Sequence, residues 1–204
     1  MNNQLEEILN QFNIVSKFKS YQELNSGHIN DTFLIKTDQR PNYVLQKING
    51  NVFKNTSKLI TNKVLVSNYL QGKLSALSLL ERQRNVLSFV SAKNGDFFYK
   101  DISGNYWNLT IFIEDSITYE KTPNSNIAYQ AGKETGKFLA LTEDFDVSKL
   151  VTILPEFHSV SKRYGQLTEA IQTASEERLI MAKELIDFAS KHLNEMLQLD
   201  KAIA

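Results

Sequence analysis

Asn25-Ser26-Gly27-His28-Ile29-Asn30-Asp31-Thr32-Phe33-Leu34-Ile35 is a short polar loop that runs straight into an extended apolar segment. Ser26-Gly27 lets the backbone approach a ligand closely, and the exposed N–H groups of such a turn suit a phosphate. The same residue types also make an ordinary turn between two strands. The loop by itself decides nothing, and its reading depends on what surrounds it.

Downstream lies a sheet pattern. Phe33-Leu34-Ile35 and Tyr43-Val44-Leu45-Gln46-Lys47-Ile48 flank Asp38-Gln39-Arg40-Pro41-Asn42, a separator rich in turn formers, so a hairpin is expected. A second hairpin is expected from Phe97-Phe98-Tyr99 and Tyr106 through Ile113, joined by Asp101-Ile102-Ser103-Gly104-Asn105. Between them, Leu59, Val66 and Leu70 form a helical stripe with Ile60 and Val64 beside it, which predicts a helix over Thr56–Gln71 stopped by Gly72. After Pro123 the pattern is helical. Ala128, Ala131, Thr135, Leu139 and Thr142 share a face, with Asn126 as the expected cap. Thr173 and Glu176 have capping-box spacing ahead of a long helix bearing Leu179, Ile186, Leu193 and Leu197. Strands first and helices after predict an α+β protein, with Ile113-Glu114-Asp115-Ser116 as the crossing point.

Composition narrows the class. The 204 residues are 42% hydrophobic, enough for a substantial core, and carry 23 basic and 23 acidic side chains. That balance predicts no pull toward nucleic acid or an anionic membrane. With no cysteine, disulfides, thiol nucleophiles and zinc–thiolate sites are all excluded. The N-terminus has no secretory pattern, and no apolar run approaches the roughly 20 residues of a membrane-spanning helix. A cytoplasmic location is expected.

The ordered combination is more telling than any one segment. Gly27-His28-Ile29-Asn30-Asp31-Thr32-Phe33 is followed by Tyr43-Val44-Leu45-Gln46-Lys47-Ile48-Asn49 and then Asn51-Val52-Phe53-Lys54-Asn55. Further on come Tyr106-Trp107 through Phe112-Ile113-Glu114, and Phe157-His158 with Lys162-Arg163-Tyr164. This series resembles the aminoglycoside-phosphotransferase (protein-kinase-like) superfamily, in its N-acetylhexosamine kinase-like branch, from about Phe18 to Leu193. It covers the first part of the family pattern. The resemblance implies a nucleotide-binding sheet lobe with one helix over 1–113. A hinge and the first helices of a helical lobe would follow over 114–204. ATP would lie between the lobes, with Mg2+, and a sugar hydroxyl would attack its terminal phosphate.

Carried onto this chain, the resemblance assigns nucleotide binding to Ser26, Gly27, His28, Ile29, Asn30, Val44, Gln46, Phe112, Ile113 and Glu114. Val44 would meet adenine, and Phe112 to Glu114 would be the hinge. His28 and Asn30 would face either the phosphates or the sugar, and His158 and Arg163 would meet substrate in the helical lobe. Core packing accounts equally well for Val44 and Phe112, and pairing or solvation for His158 and Arg163.

The departures are specific. Gln46 stands where kinases generally place a phosphate-binding lysine, and the resemblance implies that relatives in this branch share the glutamine. Strand alternation turns Lys47 to the opposite sheet face. The predicted helix over 56–71 holds no Asp or Glu, so the usual lysine–glutamate pair cannot form. Neither a His-x-Asp catalytic loop nor an Asp-Phe-Gly-like metal element is found, so no catalytic residue and no metal ligand is assigned. Asp144-Phe145-Asp146 imitates the metal element but precedes any place for a catalytic loop. Gly132-Lys133-Glu134-Thr135-Gly136-Lys137 has the outline of a P-loop with its glycines one residue too close and Phe138 in place of Ser or Thr.

The expectation is therefore the N-terminal portion of an ATP-dependent sugar phosphotransferase, truncated before the catalytic loop and unable to transfer phosphate alone. A truncated reading frame, an expressed fragment and a non-catalytic domain all fit. The alternative is a non-catalytic nucleotide-binding or protein-interaction module. The terminal helices are expected to show an apolar face through which the chain self-associates.

Overall fold

The sheet is built on three central strands that bury side chains on both faces, accompanied by three strands without a buried residue. In the computed structural model, which describes residues 2–24 and 27–203, the strands are β1 (Phe18–Glu23), β2 (Asp31–Thr37), β3 (Tyr43–Ile48), β4 (Phe89–Val90), β5 (Tyr99–Lys100) and β6 (Tyr106–Ile111). All pairings are antiparallel. The order is β1-β2-β3-β6-β4, and β5 also pairs with β6. The fold is α+β, an antiparallel sheet lobe followed by helices, as the order of patterns predicts.

Both expected hairpins form. In the second, the strand begins at Tyr99 rather than Phe97, and β6 ends at Ile111 rather than Ile113. Phe97 and Phe98 pack beside the core instead of pairing in the ladder. The turn between β5 and β6 closes through Asp101, whose carboxylate accepts from the Asn105 N–H and the Trp107 indole N–H, both at 2.9 Å. Gly104 takes φ +84° there, a conformation that side-chain-bearing residues rarely adopt.

Phe33, Ile35, Tyr43, Leu45, Trp107 and Leu109 share one sheet face and form the larger core with Leu5, Ile8, Leu9 and Phe12. Those last four belong to α1 (Asn2–Leu9) and the turn after it. Neither α1 nor β1 was anticipated above, although Leu5, Leu9 and Phe12 have helical spacing. The opposite face is covered by α2 (Thr56–Lys73), whose Ile60 and Val64 are buried against Ile48. Fully burying each such side chain contributes about 1.5–3 kcal/mol.

A short helix, α3 (Leu79–Asn85), starts at a capping box in which the Ser78 hydroxyl accepts from the Glu81 N–H and the Glu81 carboxylate accepts from the Ser78 N–H. After the sheet come α4 (Ser125–Thr142) and a 3-10 turn (Val147–Lys149). The α4 cap is Asn124, not Asn126, because Asn124 Oδ1 accepts the Ile127 N–H at 3.0 Å. Contacts divide the chain into two units, Met1–Ile153 and Leu154–Ala204.

The second unit is a helical hairpin of α5 (Val160–Thr173) and α6 (Glu176–Ile203). Thr173 closes α5 by donating back to the Glu169 and Ala170 carbonyls, so the capping box expected between Thr173 and Glu176 does not form. Asp200 reaches back to cap α5, accepting the N–H groups of Val160 at 2.7 Å and Ser161 at 2.9 Å. Among the described residues, no helix is long and apolar enough to cross a membrane.

Candidate functional site

The α2 side of the sheet is only partly covered, and the uncovered part is a cleft of about 310 Å3. Its floor is the even-numbered positions of two paired strands, Val44 and Gln46 of β3 beside Asn108 and Thr110 of β6. Leu87 forms a wall, Ile111, Phe112, Ile113 and Ser116 close the end where β6 leaves the sheet, and Lys63 enters from α2. One end is therefore apolar, and the other carries two amides and an ammonium.

The polar end is wired through Gln46. Its Nε2 donates to Thr32 Oγ1 at 3.0 Å, across the β2–β3 pair, which turns Oε1 toward α2. Lys63 Nζ donates to that Oε1 at 3.3 Å and lies 5.6 Å from the Phe89 ring centroid. Burial pushes the Lys63 pKa below the ordinary lysine value. Beside it, Asn108 is 2% exposed and its Oδ1 has no hydrogen-bond partner. Lys47 lies on the other side of β3, 3.4 Å from Asp31, as alternation requires.

The segment after β6 is held by Asn42. The Asn42 carbonyl accepts the Phe112 N–H at 2.9 Å, and Asn42 Nδ2 donates to Glu114 Oε1 at 2.9 Å. Arg84 Nη1 donates to the Glu114 carbonyl at 3.2 Å. Asp115 follows in the left-handed region at φ 57°, reversing the chain.

The anticipated residues thus fall into several groups. Val44, Gln46, Phe112 and Ile113 meet in the cleft, with Glu114 next in the chain. Gly27 and Asn30 line a separate hollow of about 290 Å3 with Leu24 and Thr32, and Asn30 Oδ1 accepts the Asn49 N–H at 2.9 Å. Ile29 lines another hollow with Asn49 and Asn51, while His28 is exposed. Ser26 lies outside the described residues.

His158 lines a hollow within the helical hairpin, beside Asp200. Arg163 is held locally, donating to the Phe157 carbonyl at 2.9 and 3.1 Å and to Gln166 at 2.9 Å. Lys63, Asn108, Thr110 and Leu87 are cleft residues that the sequence reading did not single out.

No carboxylate lines the cleft. Asp144 accepts from Lys73 Nζ at 2.6 Å and from the Tyr69 hydroxyl, while Asp146 accepts from the Ser148 N–H and hydroxyl. Among the described residues, no three His, Cys, Asp or Glu side chains are grouped so as to hold a metal ion. Among the described residues, the cleft lining therefore supplies no carboxylate ligand for Mg2+.

No protein-family model matches the chain. Among solved structures, the chain is similar to a spectinomycin phosphotransferase in complex with ADP and spectinomycin, at a TM-score of 0.47 and 10% sequence identity. The match covers 94% of this chain and 53% of that protein, so the chain spans about half of its length.

Proposed function

We propose that this chain is the nucleotide-holding portion of an ATP-dependent small-molecule phosphotransferase, with a sugar, in particular an N-acetylhexosamine, as the substrate of the complete machinery. The observation that carries the reading is the polarity of the cleft. Val44, Leu87, Ile111, Phe112 and Ile113 form an apolar slot suited to a flat base, and it leads to Gln46, Asn108 and the Lys63 ammonium. The ordered resemblance from the Gly27 loop to the segment after β6 supports the same reading.

We assign the roles as follows. The Phe112 N–H and the Glu114 carbonyl are engaged by Asn42 and Arg84. We therefore assign adenine recognition to the Phe112 carbonyl and the backbone of Ile113, with Val44 against the base. The loop Ser26–Asn30 would cover the phosphates, with Asn30 anchoring it to Asn49. His28, His158 and Arg163 are assigned to substrate. The lobes in this reading are 1–113 and 114–204. The 204 residues include no His-x-Asp loop, so we expect nucleotide binding without phosphoryl transfer. Any Mg2+ would arrive with the nucleotide.

Calorimetric titration with ATP, with and without Mg2+, tests the reading. Saturable binding that is lost in Gly27→Trp supports it. A Cβ at Gly27 meets nothing within 4 Å, so the position has room for a side chain to begin, and a thermal melt of the variant checks that it folds. Absence of binding at millimolar ATP leaves a protein-interaction module as the account of this fold. For that second reading, α6 supplies a surface, since Met181, Leu185, Phe188 and Leu199 are exposed along one stripe. We propose that this stripe supports self-association, and a sedimentation coefficient independent of concentration would contradict it.

A further inference from the structure

We infer that Lys63 is the phosphate-binding cation of this cleft, delivered by the helix rather than by the strand, with Gln46 as its positioning residue. The inference rests on the nucleotide reading above and adds a residue to it.

In the common kinase arrangement the strand carries the cation and the helix carries a carboxylate that orients it. Here the chemistry is exchanged. Position 46 on β3 is a neutral amide, and α2 has no acidic residue in any of its 18 positions. The cation sits on the helix and is oriented by the strand, through Gln46 Oε1 at 3.3 Å. The Lys63 ammonium, which can only donate, fixes which end of the Gln46 amide faces it, and the other end donates to the Thr32 hydroxyl at 3.0 Å.

Two observations point to an anionic ligand. Lys63 is the one basic side chain lining the cleft, yet it is in none of the ion pairs among the described residues. Its polar partner is a neutral amide oxygen, which leaves further ammonium protons to donate. A half-buried ammonium without a counter-charge is costly unless an anion completes it, and burial pushes the Lys63 pKa down. An anionic ligand supplies the counter-charge that Lys63 lacks.

The competing account is that the Lys63 stem covers apolar surface beside Phe89 while its head contributes nothing to binding. The two accounts separate when ATP is compared with adenosine, which shares the base and lacks the anion. Calorimetric affinities of both ligands are measured for the wild type, Lys63→Met, Lys47→Met and Gln46→Glu.

The inference expects wild type to prefer ATP over adenosine. Lys63→Met should lose about tenfold to a hundredfold in ATP affinity, the scale of one or two charge-assisted contacts, with adenosine affinity unchanged. Gln46→Glu places a carboxylate against the Lys63 ammonium and should weaken ATP selectively. It also serves if Lys63→Met fails to fold.

Equal wild-type affinity for ATP and adenosine overturns the inference while the nucleotide reading stands. So does retention of ATP affinity in Lys63→Met, or its loss in Lys47→Met instead. Failure of both ligands to bind the wild type removes the nucleotide reading itself, and this inference with it.

Discussion

Asn42 holds the segment after β6 by two separate bonds, its carbonyl accepting the Phe112 N–H at 2.9 Å and its side chain donating to Glu114 Oε1 at 2.9 Å. The same side chain accepts the Thr37 N–H at 3.1 Å, so one turn residue ties the first hairpin to the proposed hinge. Asn42→Ala should cost about 1–3 kcal/mol, since one charge-assisted bond and one neutral bond are lost. A urea titration should show a lower midpoint with an unchanged slope. An unchanged midpoint would mean that the hinge is held by the backbone bond alone.

The α1 segment belongs to the main core. Phe12 is 0% exposed among Leu5, Leu9 and the Trp107 face of the sheet. Phe12→Ala should therefore cost about 3–5 kcal/mol, the range for removing a large buried aromatic. Equilibrium denaturation measures it. A loss well below 1 kcal/mol would mean that α1 is an appendage to the sheet.

Acid stability should depend on Asp144. The Lys73 ammonium and the Tyr69 hydroxyl hold its carboxyl down to about 2, against an ordinary 3.8. The unfolded chain binds this proton first, so the contribution is fully present above the ordinary value. It is lost as pH falls from about 4 toward 2. In Asp144→Asn the stability curve should be flatter over that interval than in the wild type, as followed by thermal melts at stepped pH. Parallel curves would show that this exposed contact is screened to nothing.

Asp200 should protect the start of α5. Its carboxylate, held below the usual range first by the Ser161 N–H, accepts two amides that no helix carbonyl reaches. In Asp200→Ala, hydrogen exchange at Val160 and Ser161 should accelerate while the middle of α6 is unchanged. Asp200→Asn should lie between, because a neutral amide oxygen still accepts. Equal exchange in all three proteins would assign the cap to Ser159 alone.

The elements that local pattern encodes were legible along the chain. Turn residues between Phe33-Leu34-Ile35 and the Tyr43–Ile48 run marked the first hairpin. The stripe of Leu59, Val66 and Leu70 marked α2, which starts at Thr56 as expected. Strands of two residues, such as β4 and β5, are too short to show a period. The Ser78–Glu81 capping box was present in the sequence and signals α3. So was the anomaly at position 63. Lys63 falls four residues after Leu59 and three before Val66, a cation set inside an apolar stripe.

The sequence by itself determined which faces of the strands and helices are apolar, because side-chain period follows from backbone geometry alone. Only the tertiary structure decided what covers each face: α1 on the Trp107 side and α2 on the Gln46 side. Periodicity fixes the direction in which Lys63 and Gln46 point, but not that they meet. Their 3.3 Å contact depends on where α2 lies across β3, and that is set by packing Ile60 and Val64 against Ile48.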